Sequence, residues 1–471
     1  MVYSQLLCLK RTRRAAFAGL LALMSSGVLA QPTLADANLE AVPAAIGLSQ
    51  PVGLAFLGDN EFFVIEKASG LVKHFLNGVQ VGVPLDLAVN SASERGLLGI
   101  ALHPNFPTNP GVYLFWTMSS TGADSTVTAE VPLMANRIDR FEWNGLTLAF
   151  SKNILQARAY QEDAGQPLRG NHNGGVITFG QDGKLYVLFG DNGRRGFLQN
   201  NLKGPVPDDP FGGPEPDAAH TTGCIFRLND DGTAPTDNPF FGQTPYPSVD
   251  RLFGYGVRNG FGLAIDPKTG RLWSQENGDD TFDEMNLVEP GFNGGWVQVM
   301  GPIRRVAQFR ELEIAFGNGT LQQIRWPTSN ISLNPITAYK RMWHIKGSRY
   351  TDPKLSWKWA LAPAGIGFID TTSLGTQYDG HMLVGASRTT LLNGYLFLLP
   401  MAADRRGFAF TDADLNDLVA DNPAKFTIDE SESLLFGQNF GIVTDIETGP
   451  SGRVLLVSLD QGTVYEIRVR S

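Results

Sequence analysis

Hydrophobic and polar residues alternate along this chain in short runs, and the runs repeat. The unit is a Gly, a short apolar strand, a turn containing Asp, Pro or Gly, and a second apolar strand. Alternation bounded by turn residues predicts β-strands. The unit occurs at Pro51–Glu66, Arg95–Thr117, Gly170–Arg195 and Arg258–Glu276. It returns more loosely at Ala364–Phe397 and again at Gly441–Leu459, closed by Gly462–Ile467. Six copies predict an all-β fold, a six-bladed β-propeller of four-stranded antiparallel blades around a channel. The recurring Gly has a steric reason, because six inner strands crowd toward one axis. The last strand, Thr463–Arg468, is expected to close a blade with the segment after residue 45.

The third unit carries the most suggestive chemistry. Val176–Phe179 and Lys184–Phe189 read as two strands joined by the turn Gln181-Asp182-Gly183. His172 enters just before the first strand, and Asp191 leaves just after the second. A hairpin brings such ends together, as a general base and its orienting carboxylate require. A loop cap and a turn residue fit the same spacing. Arg258-Asn259 opens the fourth unit where His172 precedes the third, so these side chains are expected on one rim. An Arg and an amide there suit an oxyanion or a quinone oxygen; a structural Arg bridging blades is the other reading.

Glu276–Trp296 reads as the most acidic loop, with Asp279, Asp280, Asp283 and Glu284 close together. Such a loop can supply the six to eight oxygens that Ca²⁺ takes, though without EF-hand spacing; a solvated turn is the alternative. Residues 303–360 stand apart, with ten Lys/Arg, three Asp/Glu and four of the eight Trp. They read as an insertion near the channel mouth, either a lid that grips a ligand or a packed unit with a solvated basic face. No His/Cys cluster suggests zinc, and no Gly-rich phosphate loop or dinucleotide fingerprint is present.

Composition narrows the setting. Residues 1–30 have a basic start, an apolar stretch and a small-residue end at Val28-Leu29-Ala30, the pattern of a secretory signal peptide. Residues 31–45 then read as a linker and 46–471 as the propeller, in a periplasmic or secreted protein without a membrane span. Of the two cysteines, Cys8 lies in the signal, so the mature chain keeps only Cys224 and has no internal disulfide. Removing the signal takes four of the 38 Lys and Arg and none of the 47 Asp and Glu, which leaves a net charge of −13. So acidic a protein is a poor partner for nucleic acid or anionic lipid.

Together the motifs ERGLLGIALHPNF (94–106), HNGGVITFGQDGKLYVLFGD (172–191), DGTAPTDNPF (231–240), VRNGFGLAIDPKTGRLW (257–273), DEMNLVEPGFNGGW (283–296) and TDIETGPSG (444–452) resemble the soluble PQQ-dependent aldose sugar dehydrogenases, the glucose/sorbosone dehydrogenase family. The resemblance implies a six-bladed propeller that binds PQQ and Ca²⁺ at the channel mouth and passes electrons from a sugar to an external acceptor. By position, His172 resembles the general base, Asp191 its orienting carboxylate, and Arg258 and Asn259 the pair that contacts PQQ. Gly278 resembles a backbone Ca²⁺ ligand with Asp279 beside it, and Glu284 resembles part of a structural Ca²⁺ site.

The pattern also departs from the family. Glu94 stands for a Gln, Asp279 for a Pro, and Arg388 for a PQQ-contacting Lys. Ile442 and Thr444 stand for two Arg that hold PQQ carboxylates, and each charged hydrogen bond of that kind contributes about 1.5–3 kcal/mol. The reading is a PQQ- and Ca²⁺-dependent sugar dehydrogenase whose channel mouth is ringed by Glu94, His172, Asp191, Arg258, Asn259 and Arg388. Two rivals stay open, a cofactor-less propeller that binds an envelope partner and a Ca²⁺-dependent hydrolase or lactonase. The sugar, the acceptor and the oligomeric state are not read from the sequence.

Overall fold

The computed structural model of the 471-residue chain describes residues 31–160, 170–193, 200, 221–316, 328, 331–386 and 393–471. The chain forms an all-β propeller. Sheet I holds Pro51–Gly58, Glu61–Glu66, Leu71–Leu76 and Val79–Asp86; sheet II holds Leu97–Leu102, Gly111–Thr117, Asn136–Trp143 and Leu148–Ala157. Sheet III runs Ile177–Phe179, Leu185–Phe189, Cys224–Leu228 and Leu252–Tyr255, with Phe292–Asn293 and Arg349–Tyr350 added at its edge. Sheet IV runs Gly262–Ile265, Leu272–Glu276, Thr281–Val288 and Leu355–Trp359, then Val419–Ala420. Sheet V runs Pro363–Phe368, Met382–Ala386, Tyr395–Leu399 and Leu435–Gln438, edged by Thr33–Leu34. Sheet VI runs Val443–Thr448, Val454–Ser458 and Thr463–Val469 and is completed by Leu39–Ala45. Sheets I to IV thus follow chain order outward, sheet V does so up to its outer edge, where the early strand Thr33–Leu34 is added, and both ends of the described chain build sheet VI. Uniform four-stranded blades are not what forms, because sheets III, IV and V recruit extra edge strands.

Each sheet shares one buried cluster with the sheet before it and another with the sheet after. Phe63 and Ile65 meet Val112 and Leu114 between sheets I and II. Tyr113 and Phe115 meet Val187 and Phe189 between II and III. Leu188 and Ile225 meet Leu263 and Leu272 in the next gap. Trp273 and Trp357 meet Tyr395 and Phe397 beyond it. Leu383 and Leu396 then meet Val443 and Leu456, and Leu455 and Val457 meet Leu54 and Phe62. Burial on both faces explains why second strands such as Leu185–Phe189 read as unbroken apolar runs rather than alternating ones.

Three sequence expectations need correction. Residues 31–45 are not a linker. Leu39–Ala45 pairs antiparallel with Thr463–Val469, so closure uses the segment before residue 45 rather than after it. Pro43 disguised this strand, but an edge strand tolerates Pro. The 303–360 span is not wholly apart. Its helices α1 (Val306–Phe316) and α2 (Pro335–Arg341) share a core with Phe282, Trp296 and Met300, whereas Leu355–Trp359 is an integral strand of sheet IV. The start of α2 is capped by Asn334, which accepts from Thr337 N at 2.9 Å, with Pro335 in the first turn. Finally, Glu276–Trp296 is not a solvated loop: Thr281–Val288 is a strand buried along its whole length.

The inner strands confirm the reason given for glycine. A Cβ at Gly99 would lie 2.1 Å from the Gly175 carbonyl oxygen, one at Gly367 2.1 Å from that of Ile446, and one at Gly262 2.5 Å from that of Ala364. In each case the obstacle is main chain of the neighbouring sheet. Gly99→Ala or Gly367→Ala should therefore destabilise the fold by about 1–3 kcal/mol. Gly407→Ala, where a Cβ meets nothing within 4 Å, should be close to neutral. Urea unfolding of the three variants checks this.

Candidate active site

The hairpin of sheet III delivers His172 and Asp191 to one point. Gly183 takes φ 71° in its turn. Gly175 N donates to Leu188 O at 3.0 Å, and Asn192 N donates to His172 O at 3.1 Å, which keeps the two ends in register. His172 Nδ1 and Asp191 Oδ1 are 2.6 Å apart, and both side chains are buried. A carboxylate only accepts, so Nδ1 carries the proton and Nε2 presents its lone pair. Among the described residues Nε2 has no hydrogen-bond partner. His172 sits at φ 54°, an uncommon conformation for a residue with a side chain, and such strain gathers at functional sites.

Asp191 is satisfied by more than the imidazole. Gly193 N donates to Oδ1 at 2.7 Å, and Trp296 Nε1 donates to Oδ2 at 2.9 Å. The Trp296 ring also carries the Arg258 guanidinium, 5.5 Å from its centroid. Asp191 N donates to Arg258 O at 2.9 Å. Imidazole, carboxylate and guanidinium thus share one neighbourhood, as the sequence predicted. Arg258 is held by Asp279 Oδ1 at 2.6 Å and Asn277 O at 2.9 Å, and its main-chain N donates to Glu276. Its neighbours Asp279 and Asp191 push its pKa up although burial opposes them.

Glu94 ties sheet II to this group. Its Oε2 accepts from His172 N at 2.7 Å and from Asn259 Nδ2 at 3.1 Å. Glu94 also lines a central cavity of about 390 Å³, a size suited to a small ligand. All six sheets contribute to its wall, from Val52 through Leu98, Ile177, Leu263 and Ala364 to Thr444. Its charged residues are Lys67, Glu94, Asp445 and Glu447, and Ile442 and Thr444 lie on the same wall. Lys67 Nζ donates to Ser93 O at 2.9 Å, and burial lowers its pKa against the pull of Glu94. Burial pushes Asp445 up to about 7, despite main-chain donors from Leu54 and Ile446. Glu447 is exposed on the cavity wall, yet the protein around it and the neighbouring Asp445 still penalise its charge and raise its pKa.

The expected metal residues separate. Gly278 N donates to Asp283 Oδ1 at 2.8 Å. Asp283 Oδ2 accepts from Leu361 N and Ala362 N, both at 2.6 Å, so Asp283 braces the loop. Glu284 accepts from Gly301 N and from Asn286 Nδ2. It lies opposite Glu276 in the sheet, and burial pushes its pKa up to about 8. Asp279 instead joins Asp280 and Glu313, with one carboxylate oxygen of each within 4.8 Å of the others. Glu313 Oε1 accepts from Thr281 Oγ1 at 2.7 Å, while its Oε2 is buried without a partner among the described residues. Burial first and Asp279 second push Glu313 up to about 8. Lys425 Nζ lies 2.5 Å from Asp280.

Arg388, expected in the cofactor set, lies outside the described residues, as do Arg194 and Arg195 of the third unit. Sequence reasoning missed Trp296, Glu313, Lys67, Asp445 and Glu447. The alternation Thr444-Asp445-Ile446-Glu447 on an inner strand signals acids facing the channel. Glu313, on α1 far along the chain, gives no such signal.

The fold is that of a propeller whose central cavity reaches Glu94, which in turn holds His172 of the buried imidazole–carboxylate pair. Residues 48–304 match the Glucose / Sorbosone dehydrogenase family, and the chain belongs to that family of oxidoreductases. An uncharacterized protein of Synechocystis is 31% identical over 92% of this chain and 87% of its own length. Quinoprotein glucose dehydrogenase B of Acinetobacter calcoaceticus is 32% identical over 54% of this chain, and the match spans 51% of that enzyme, about half its length. The PQQ-bound form of aldose sugar dehydrogenase from Streptomyces coelicolor has the same fold, with a TM-score of 0.57 and 22% identity over 92% of this chain and 99% of that one.

Two outcomes follow from the site geometry. Asp191→Ala leaves the Trp296 Nε1 donor buried and unpaired, so it should cost about 1–3 kcal/mol of stability in urea unfolding. The channel acids set a pH dependence. Asp445 holds its proton up to about 7 in the folded chain, against about 3.9 unfolded. The folded state therefore binds more protons between those values. This stabilising contribution is complete below the unfolded pKa and is lost as pH rises through the window. The double variant Asp445→Asn, Glu447→Gln should flatten the fall of the unfolding midpoint from pH ~4 to ~7.

Proposed function

We propose that this protein is a PQQ-dependent dehydrogenase that oxidises an aldose at its anomeric carbon. The buried His172–Asp191 pair beside the central cavity carries the reading. Asp191 keeps the imidazole proton on Nδ1, so Nε2 takes the proton of the anomeric hydroxyl. The Asp191 charge then stabilises the imidazolium. As that hydroxyl proton leaves, a hydride departs from the anomeric carbon and the aldose becomes a lactone. The quinone cofactor, when bound, supplies the two-electron acceptor. Glu94, through His172 N and Asn259, fixes where the base stands relative to the cavity.

The residues present suit a polar, acidic, planar group. Arg258 Nε and Asn259 Oδ1 are buried without a partner among the described residues. Lys67 adds one ammonium to a wall that also carries Glu94, Asp445 and Glu447, so among the described residues it is the one cation of the wall near Ile442 and Thr444. Asp279, Asp280 and Glu313 form an all-oxygen set suited to Ca²⁺, and the unpartnered Glu313 Oε2 supports that assignment. Ion binding there must compete with Arg258 and Lys425, which already pair with Asp279 and Asp280. The frame is read as six blades, one per sheet, because every sheet shares a core with both neighbours. Periplasmic or secreted location, by the signal-like residues 1–30, and transfer of electrons to an external acceptor complete the proposal.

The test is reconstitution of apo-protein with PQQ and Ca²⁺, followed by aldose-dependent dye reduction. His172→Gln should lower kcat by roughly 10²–10⁴-fold while the bound-quinone absorbance is kept. Glu313→Gln should weaken the rise in melting temperature that Ca²⁺ produces. Full quinone binding with no turnover on any aldose would sink the dehydrogenase reading.

A further inference from the structure

The helical insertion carries a charge that the rest of the chain does not share. From Ile314 to Thr351 the sequence holds no Asp or Glu, although the chain has 47 of them. The cations of this stretch include Lys340, Arg341, Lys346 and Arg349, whose side chains are all exposed. Arg304, Arg305 and Lys358, just outside it, are already paired with Asp417 and Asp421. Lys340, Lys346 and Arg349 pair with no carboxylate among the described residues. The acids at either end face elsewhere: Glu313 is buried against Thr281, and Asp352 accepts from Ile303 N at 2.7 Å.

Large apolar side chains stand among these cations. α2 turns one face to the core, where Ala338 and Met342 meet Trp296 and Met300. Its other face points outward: Ile336 is 69% exposed and Tyr339 51%. Lys340 follows Ile336 by one helical turn, so the ammonium and the aliphatic chain are neighbours on the helix surface. Leu333 precedes the Asn334 cap, the position from which a hydrophobic residue ordinarily folds back onto the helix. It stays 65% exposed instead. The Tyr339 ring rests on the His344 ring, with centroids 4.7 Å apart. Leu333 and Ile336 show most of their surface, so they form a projecting tip rather than the floor of a groove.

We propose that α2 docks the protein on an anionic phospholipid surface. Leu333, Ile336 and Tyr339 enter the interface, and Lys340, Arg341 and Lys346 meet the phosphates. A projecting apolar tip flanked by cations, with a tyrosine at its margin, suits the boundary between headgroups and acyl chains. A folded protein partner would need a matching pit for such a tip, whereas a bilayer yields to it. Charge sets the orientation. The chain as a whole is acidic and a poor partner for anionic lipid, so such a surface repels most of it and accepts this stretch, where the sign is reversed. Few side chains supply the binding, which makes it reversible and sensitive to salt. The docked helix is one packing layer from Trp296, the residue that holds Asp191.

The test is co-sedimentation of the mature chain, without the apolar residues 1–30, with vesicles of phosphatidylglycerol and phosphatidylcholine. The expected result is association at low salt that falls away as salt is raised, and little association with phosphatidylcholine alone. Lys340→Glu with Arg341→Glu should weaken it roughly tenfold or more, as should Leu333→Ser with Ile336→Ser. The matched change on the edge of sheet II, Phe150→Ser with Lys152→Glu, should leave it as it was. All of these side chains are exposed, and an unaltered urea midpoint shows that each variant is folded. No association with the mixed vesicles at low salt overturns the proposal, as does association that the α2 variants do not weaken. Equal binding to phosphatidylcholine alone removes the role given to the cations and overturns it too. Binding of soluble polyglutamate without binding of vesicles would assign the surface to an acidic protein and overturn it equally.

Discussion

Asp191 places a carboxyl group where its side chain is fully buried. A carboxylate in that position persists only if donors surround it. Among the described residues three donors reach it: the imidazole of His172 at the start of the hairpin, the Gly193 amide just beyond its end, and the Trp296 indole from the segment that leads to α1. Satisfying one carboxyl group therefore fixes a buried imidazole, the end of a hairpin and the root of the helical insertion at once. Arg258 lies over the same indole and is placed by it. The site is rigid because its parts share a single electrostatic requirement.

Buried acids then accumulate around it. Asp279, Asp280, Asp283, Glu284, Glu276 and Glu313 all lie inside the protein, with Arg258 and Lys425 as the cations paired to them. Main-chain amides do much of the remaining work, as at Asp283, whose two oxygens accept three of them. Where amides run short, protons fill in, and Glu284 and Glu313 hold theirs well above the ordinary carboxyl range. Such an arrangement is tuned to the sign of whatever enters it.

Much of this was legible before any coordinates. The hairpin spacing placed His172 against Asp191, and the recurring glycines marked the crowded inner strands. Family motifs added Glu94, Arg258 and Asn259 correctly to one neighbourhood. What escaped depended on distant pairings. Glu313 reaches the acidic group from α1, and Trp296 reaches Asp191 across 105 positions of chain. Thr281–Val288 read as part of an acidic loop, either a Ca²⁺ site or a solvated turn, because its acids take their hydrogen bonds from amides distant in sequence. The sequence pattern also hid Leu39–Ala45, since a proline at a sheet edge carries no penalty that local rules can anticipate.

That terminal strand has a consequence for biogenesis. Leu39–Ala45 pairs with Thr463–Val469, and Glu40 waits for Arg468 across 428 positions of chain. The clasp that seals the circle can engage only after all the intervening strands have been made. Earlier sheets can collapse as they emerge, but the toroid stays open, with two apolar flanks exposed to chaperones and proteases. Long-range closure of this kind is slow.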